Sequence, residues 1–295
     1  MQEWTYTVPS EADGQTVQTF LRRDCGLSWR MVVKLKQVPE GITADGVPMR
    51  TIDRLRAGQT VRLRMPPDTV RIEGAPLPLD IVYEDDHLLV VNKPPYLAVH
   101  PSAGKPEPTL ANAVVHHYAE QGTPLSFRPV NRLDRNTSGL LVAAKNPHAA
   151  YALAPFGTHR IYKEYLAIAL GRLEGEGTVD QPIRVREGSC ITREVGEGGK
   201  PSVTHWKALA ANDDATLLRL TLDTGRTHQI RVHLAWLGHP LAGDTMYGED
   251  QTILLRHGLH CAVVSLTHPL TGETLRWDCP LPSDMQAVAD TMRPL

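Results

Sequence analysis

Residues 128–144 read RPVNRLDRNTSGLLVAA. A polar loop with three arginines and one carboxylate, Asp134, runs straight into an apolar, strand-like segment. Functional side chains often sit on such loops, with a sheet behind them to hold them in place. Gly139, at the junction, lets the backbone turn where a Cβ would obstruct. Thr137 and Ser138 are expected to hydrogen-bond nearby backbone groups and stiffen the turn. Arg132 and Arg135 flank the acid closely, so its carboxyl group is expected to be ionised at neutral pH. An ionised carboxylate is a poor proton donor and a usable nucleophile or electrostatic stabiliser. Taken alone, an acid among arginines is more often a surface ion pair, so the rest of the chain decides its meaning.

Outward from this loop, HLLVVNKP (87–94), GLLVAAK (139–145), EYLAIALG (164–171), SVTHWKALA (202–210), ATLLRLTLD (215–223) and CAVVSLTHP (261–269) read as strands rich in Val, Leu and Ile. TLANAVVHHYAEQG (109–122) and THQIRVHLAWLG (227–238) read as helices, each ended by Gly. SDMQAVADTM (283–292) reads as a C-terminal helix with Ser283 as its cap. Strands and helices mix without a βαβ rhythm, which predicts an α+β fold with a mixed or mainly antiparallel sheet. On the helix at 227–238, His228 and Arg231 are three apart and share a face, while Ile230 and Leu234 form the core side.

The first residues form a separate unit. In TVQTFLRRDCG (16–26), Val17, Phe20 and Leu21 have the spacing of a helix, and Gly26 stops it. Ser28 stands where an N-cap belongs, before WRMVVKLKQ. Short strands follow in ITADGVPM (42–49) and TVRLRM (60–65), with Asp45-Gly46 as a turn. Pro66-Pro67 and APLPLD (75–80) mark a linker, dividing the chain into units 1–68 and 69–295. Residues 11–66 hold ten Lys/Arg and six Asp/Glu, so this segment is +4 while the remainder is −6. A basic module on a mildly acidic body suits phosphate contacts.

The whole chain sets bounds. At 295 residues it is long enough for two domains, and 41% hydrophobic with 22% charged residues is ordinary for a globular protein. No apolar run reaches the ~18 residues of a membrane span. The N-terminus lacks the basic start and apolar stretch of a secretory signal. Cys25, Cys190, Cys261 and Cys279 are far apart, with no C-x-x-C pair, which points to buried thiols in a reducing cytoplasm. His116-His117 and the pair His228 and His233 lack the i, i+4 face of a zinc motif, and no phosphate-binding P-loop appears. Neither a metal nor a cofactor is expected.

Four blocks, in order, carry a resemblance. N-R-L-D-R-N-T-S-G-L-L resembles the H-R-L-D-x-x-T-S-G-L signature of the RluA/RluD-like pseudouridine synthases. DHLLVVNKPPYLAVHPS (86–102) looks like that family's strand-plus-N-K-P segment. YKEYLAIALG (162–171) matches its tyrosine block and TGRTHQIRVHLAWLGHPLAGDTMYG (224–248) its arginine block; THPLTGE (267–273) also fits. The resemblance covers roughly 80–275. The N-terminal order of two helices and short strands resembles an S4-type RNA-binding domain, a frequent companion of this family. On that resemblance, Arg22, Arg23, Arg30, Lys34 and Lys36 fall on its basic helices.

The resemblance implies an enzyme that isomerises uridine to pseudouridine in structured RNA, ribosomal or transfer, without a cofactor. A monomer is the default expectation, in the cytoplasm that the cysteine usage suggests. Asp134 maps onto the family's catalytic aspartate, Arg231 onto the arginine that pairs with it, and Tyr165 onto the tyrosine that stacks on the uracil or its sugar. The phenol of Tyr165 is a candidate to take the C5 proton. Breaking the glycosidic bond develops positive charge at the anomeric carbon. The carboxylate can stabilise that charge, bond to it, remove a sugar proton, or instead attack C6 of the base. The uridine must leave its stack. Arg132, Arg135 and Arg226 are candidates for phosphate contact or for filling the vacated space, and His228 for RNA contact. Asn131 stands where the family commonly has His; it cannot carry a proton at pH 7 and reads as structural or RNA-contacting.

Two rivals remain. A catalytically inactive RNA-binding protein of the same fold has no physical need for Asp134, Tyr165 and Arg231 together. A glycosidase-like hydrolase wants a second carboxylate about 5–9 Å away. Glu164 neighbours Tyr165 but faces the other side of its strand, so no obvious candidate exists.

Overall fold

The computed structural model describes residues 3–64, 72–101, 107–154, 161–249 and 252–295. The proposed junction at 68, with Pro66-Pro67, lies outside them. The N-terminal unit opens with a strand that the sequence pattern does not reveal, β1 (Glu3–Thr7). Helices α1 (Val17–Arg23) and α2 (Trp29–Lys36) follow where the periodicity predicts them. Ser28 does cap the second, its hydroxyl accepting from the Met31 N–H at 3.3 Å. Then come β2 (Ile42–Ala44), β3 (Val47–Pro48) and β4 (Thr60–Arg64), in a sheet ordered β1-β4-β2-β3. Asp45 and Gly46 both have positive φ, 49° and 82°, as the tight two-residue hairpin turn requires.

Trp4, Phe20, Leu21, Met31, Leu35 and Leu63 close a core made only of residues 4–63. Arg22, Arg23, Arg30, Lys34 and Lys36 are all exposed. Among the described residues none of the five makes an ion pair, whereas Arg50 pairs with Asp53 and Arg64 with Glu3 and Glu40.

The larger unit is built on strands β5 (Ile81–Glu84), β6 (Leu88–Lys93), β7 (Ser138–Ala144), β8 (Ile161–Leu170), β9 (Glu176–Asp180), β10 (Ile183–Val185), β11 (Arg193–Val195), β12 (Val203–Ala211), β13 (Ala215–Leu222), β14 (Leu259–Thr267), β15 (Thr274–Asp278) and β16 (Arg293–Pro294). Helices α3 (Leu110–Glu120), α4 (Pro147–Ala152), α5 (Gln229–Trp236) and α6 (Ser283–Ala289) complete it. Ser283 is the first helical residue of α6, and Pro282 takes the cap position without a side-chain bond, one residue before the predicted boundary.

Ten strands form one sheet, ordered β16-β12-β13-β8-β14-β7-β6-β5, with β15 added to β14 and β9 to β12. Every pair is antiparallel except β7 with β14. The mixed, mainly antiparallel sheet of an α+β fold is what the pattern predicts. Strand β7, paired with β6 and β14 inside the sheet, is buried along its whole length and shares one core cluster with residues of α3 and α4. That two-sided burial is why it reads as a continuous apolar run; Leu140 and Leu141 alone each contribute roughly 1.5–3 kcal/mol by leaving water.

The parallel pair positions the site. Cys261 of β14 is the register partner of Gly139 on one side and of Tyr165 on the other. The loop bearing Asp134 and the strand bearing Tyr165 are therefore one strand apart. Gly139 has φ +105°, and a Cβ there would lie 2.3 Å from the Cys261 carbonyl oxygen, so the expected need for glycine is met by strand contact as well as by the turn.

Candidate active site

The loop before β7 folds back on its own strand. The Val130 N–H donates to the Val142 carbonyl at 2.9 Å and the Ala144 N–H to the Arg128 carbonyl at 2.8 Å. Asn131 is buried between them. Its Oδ1 accepts from the Val142 N–H at 2.8 Å and its Nδ2 donates to the Leu140 carbonyl at 3.2 Å. This side chain is structural, one of the two readings open for it. Leu133 points into the core while Arg132 and Arg135 are exposed.

Beyond Asp134, four successive residues are each held from elsewhere in the chain. Lys93 Nζ donates to the Arg135 carbonyl at 3.0 Å, and Arg256 Nη1 to the Asn136 carbonyl at 3.0 Å. Thr137 Oγ1 meets His257 Nε2 and Ser138 Oγ meets His260 Nδ1, both at 2.9 Å. The expectation that Thr137 and Ser138 bond nearby backbone is corrected here: their partners are imidazoles brought in by the β14 end of the sheet. Lys93 is fully buried, with Nζ also donating to the Pro94 and Leu97 carbonyls. Burial, and then the Arg256 charge, lower its pKa to about 7.

Asp134 is partly open, its side chain 29% exposed. Its Oδ2 accepts from Arg231 Nη1 at 3.0 Å, and His228 Nε2 stands 3.8 Å from the same oxygen. Among the described residues nothing hydrogen-bonds its Oδ1. Arg231 is buried and bridges to a second carboxylate: Nε donates to Asp244 Oδ2 at 2.7 Å and Nη2 to Asp244 Oδ1 at 2.9 Å. The bidentate pairing fixes the guanidinium plane, and the ring of Tyr247 lies 5.0 Å beneath it. Asp244 also accepts from the Met246 N–H at 3.0 Å. Burial works to raise its pKa, but Arg231 outweighs burial and holds the carboxyl below the usual range. This answers the hydrolase reading: a second carboxylate is present, yet it is fully buried, ionised and engaged at both oxygens, so it has no proton to give.

His228 departs from expectation. It is not on the helix but caps it, in a left-handed conformation with φ 58°. It still converges with Arg231 on Asp134, from a loop rather than from a shared helical face. Tyr247 Oη accepts from the Arg193 N–H at 2.9 Å and lies 2.8 Å from His228 Nδ1. In the tautomer where the phenol donates to Nδ1, the imidazole proton is on Nε2, facing Asp134. Burial, outweighing the Asp134 charge, lowers the His228 pKa, so the ring is neutral at pH 7.

Tyr165 is only 6% exposed. Burial, with Cys261 and Asp134 beside it, raises its pKa well above the ordinary value, so the phenol is protonated. Its hydroxyl contacts the Cys261 thiol. Arg226 is exposed and donates through Nε to the Pro201 carbonyl at 3.1 Å. Arg135 donates through Nε to the Tyr96 carbonyl at 3.1 Å and pairs with Glu107 at 2.7 Å. Ile230 and Leu234 are core residues, as predicted. Sequence reasoning missed Asp244, Tyr247, Lys93, Arg256 and His257. Asp244 and Tyr247 sit inside the quoted arginine block, but only the pairing with Arg231 gives them meaning. Among the described residues no cluster of three or more His, Cys, Asp or Glu could hold a metal ion.

The α+β fold thus presents one partly open carboxylate held by an arginine, one strand away from a buried tyrosine. Comparison with known proteins places this arrangement in a family. Residues 87–236 match the family described as RNA pseudouridylate synthase. The uncharacterised RNA pseudouridine synthase YjbO of Bacillus subtilis is 40% identical over 266 residues, 89% of this chain and 94% of that protein. The ribosomal large subunit pseudouridine synthase D of Vibrio parahaemolyticus is 41% identical over 241 residues, 77% of this chain and 74% of that one. Among solved structures, human RNA pseudouridylate synthase domain containing 1 superposes with a TM-score of 0.60 at 30% identity, over 76% of this chain and 91% of that one. The chain belongs to the RNA pseudouridylate synthase family. It is an isomerase acting on RNA, and the inactive-binder reading is set aside.

Proposed function

We propose that Asp134 is the catalytic carboxylate and that the substrate is ribosomal RNA of the large subunit. In the reaction the N1–C1′ bond of uridine breaks, the uracil turns, C5 bonds to C1′, the C5 proton is lost, and the freed N1 takes up a proton, so uridine and product are isomers. The observation that carries the assignment is the bridge Asp134–Arg231–Asp244. It leaves Oδ2 engaged and Oδ1 free for a ligand. Asp244 fixes Arg231, and Arg231 holds Asp134 aimed through Oδ2, so the carboxylate needs no reorganisation as positive charge builds on the sugar. The neutral His228, with Nε2 toward the same oxygen, adds a second polar wall.

Tyr165 stacks on the uracil or its sugar. Because burial keeps the phenol protonated, accepting the C5 proton would require it to pass its own proton on in the same step. Stacking carries no such requirement and is the favoured role. Arg132, Arg135 and Arg226 lie on exposed loops and serve the phosphates or the space that the flipped base vacates.

The unit spanning 1–68 acts as an S4-like RNA-binding domain and the unit spanning 69–295 as the catalytic domain. Support for the division is the separate N-terminal core. Support for RNA contact is the set of five exposed cations on α1 and α2, none of which makes an ion pair among the described residues. The enzyme works as a monomer in the cytoplasm; no helix among the described residues is long and apolar enough to cross a membrane. The ribosomal target rests on relatives named for the large ribosomal subunit.

The deciding experiment is Asp134→Asn, assayed by release of tritium from RNA labelled at C5 of uridine. Release should fall to background while RNA binding and the melting temperature persist, since the amide keeps the shape without the charge. Turnover near wild type refutes the role. Mapping pseudouridine in total RNA with and without the gene identifies the target, with transfer RNA as the opposing outcome.

A further inference from the structure

Among the described residues, four that are not glycine have positive φ: Glu40, Asp45, Tyr96 and His228. Two of these connect to the Asp134 loop: His228 Nε2 stands 3.8 Å from Asp134, and the Tyr96 carbonyl accepts from Arg135, the residue after Asp134. His228 is already part of the site; Tyr96 is not. At φ 64° it occupies a conformation that glycine adopts freely and a bulky residue adopts only under constraint. Such outliers concentrate where a fold uses them.

The constraint is visible. Lys93 Nζ donates to Pro94 and Leu97, bracketing Tyr96 on both sides, at 2.8 and 2.9 Å. Arg135 Nε then donates to the Tyr96 carbonyl at 3.1 Å. The same Lys93 holds the Arg135 carbonyl. The Tyr96 turn and the Asp134 loop are thus locked together through Lys93 and Arg135. All this bonding is spent on the backbone. The side chain is 52% exposed, and among the described residues no ring or hydrogen bond engages its phenol. The Lys93 amine and the Arg135 guanidinium hold a strained turn in place, and an exposed aromatic ring projects from a backbone that is bonded to the residue following Asp134.

We propose that Tyr96 stacks on a nucleobase of the RNA next to the target uridine. When a uridine leaves its stack, the faces of its neighbours are bared. An aromatic ring covers such a face well, and does so without regard to which base it is. A ring carried on a backbone fixed in advance loses less freedom on binding than one on a mobile loop. The assignment rests on the reading of Asp134 as the catalytic carboxylate.

Three variants test it in the full chain: Tyr96→Gly, Tyr96→Asn and Tyr96→Phe. Asp134→Asn is run alongside, and the probe is a large-subunit ribosomal RNA transcript labelled at C5 of uridine. Glycine and asparagine both tolerate positive φ, so neither should melt appreciably below wild type. Both should lose about tenfold or more in kcat/KM, most of it in KM, the scale of one lost base–aromatic stack. Tyr96→Phe keeps the ring and should stay within about threefold of wild type. Wild-type kcat/KM in Tyr96→Gly and Tyr96→Asn overturns the proposal, as does a Tyr96→Phe variant as weak as Tyr96→Gly. If Asp134→Asn still releases tritium, the reading of the site itself fails. If it is dead while the two ring-less variants are fully active, only the stacking role fails.

Discussion

Lys93 Nζ lies 3.0 Å from the carbonyl oxygen of Arg135, so a fully buried amine on β6 grips the residue that follows Asp134. Its three carbonyl partners match the three protons of an ammonium, while burial and Arg256 favour the neutral amine and bring its pKa to about 7.

Replacing Lys93 with Met leaves three buried carbonyls without a donor, at about 1–3 kcal/mol each in the worst case. Lys93→Met should therefore be clearly less stable and less active. The pH dependence is specific. An unfolded lysine titrates near ~10.4, so between about pH 7 and 10 the unfolded chain holds a proton that the folded chain has released. Stability linked to this group rises across that window and is lowest below pH 7. The gap between wild type and Lys93→Met should widen from pH 7 to 10 in paired denaturant melts; a constant gap would show that the amine titrates normally.

Arg231 serves two carboxylates at once, and only a planar fork can do so. Arg231→Met leaves Asp244 buried without a counter-charge, a loss of about 3–5 kcal/mol. Arg231→Lys keeps the charge but reaches one carboxylate at a time, so Asp134 loses its aim. Tritium release by Arg231→Lys should drop about a hundredfold, the scale for ~1 Å of misplacement, with stability reduced less than in Arg231→Met. Equal activity of Arg231→Lys and wild type would show that the bridge to Asp244 has no part in positioning Asp134.

What the sequence disclosed, and what it hid, follows from how far the signal travels along the chain. Strands β6, β7, β8, β12, β13 and β14 are long apolar runs because both faces, or one whole face, are buried, and they are legible locally. Strands β1, β9, β10, β11 and β16 are short and largely exposed edge pieces, held by pairing partners that no window of residues reveals. In the same way Asp134, Tyr165 and Arg231 were found through the blocks that contain them. The clamps on the Asp134 loop were not, because His257 and His260 lie 120 and 122 residues from the hydroxyls they hold. The prediction that His228 rides on the helix failed by one residue, since the left-handed cap is invisible to helical spacing.

Those two histidines make the loop acid-sensitive. Burial, with the Arg231 charge adding to it at His257, lowers both pKa values to about 4. Unfolded histidine titrates near ~6.5. As pH falls from about 6.5 to 4, the unfolded chain takes up protons that the folded chain refuses, so stability is lost across that window, by up to about 3 kcal/mol per ring. Thermal melts of wild type should show this slope. His260→Gln should flatten it by about half while lowering stability at pH 7. An unchanged slope in His260→Gln would mean that other groups carry the acid response.

Asn131 offers the last test, because the resemblance to the family places a histidine at this position. Here its amide is saturated by the β7 backbone: Oδ1 takes the Val142 N–H and Nδ2 reaches the Leu140 carbonyl. The side chain is buried, with its oxygen and its nitrogen both engaged by the strand. Its work is to fasten the returning arm of the loop to the strand that leaves it. Asn131→Ala strands a buried donor and a buried acceptor, and should cost about 1–3 kcal/mol. The pH profile of kcat should keep its shape, since no proton passes through this residue. Asn131→Asp should be worse than Asn131→Ala, because a carboxylate cannot donate to Leu140 and brings a buried charge. A shifted pH profile in Asn131→Ala, without loss of stability, would instead place this residue in the chemistry.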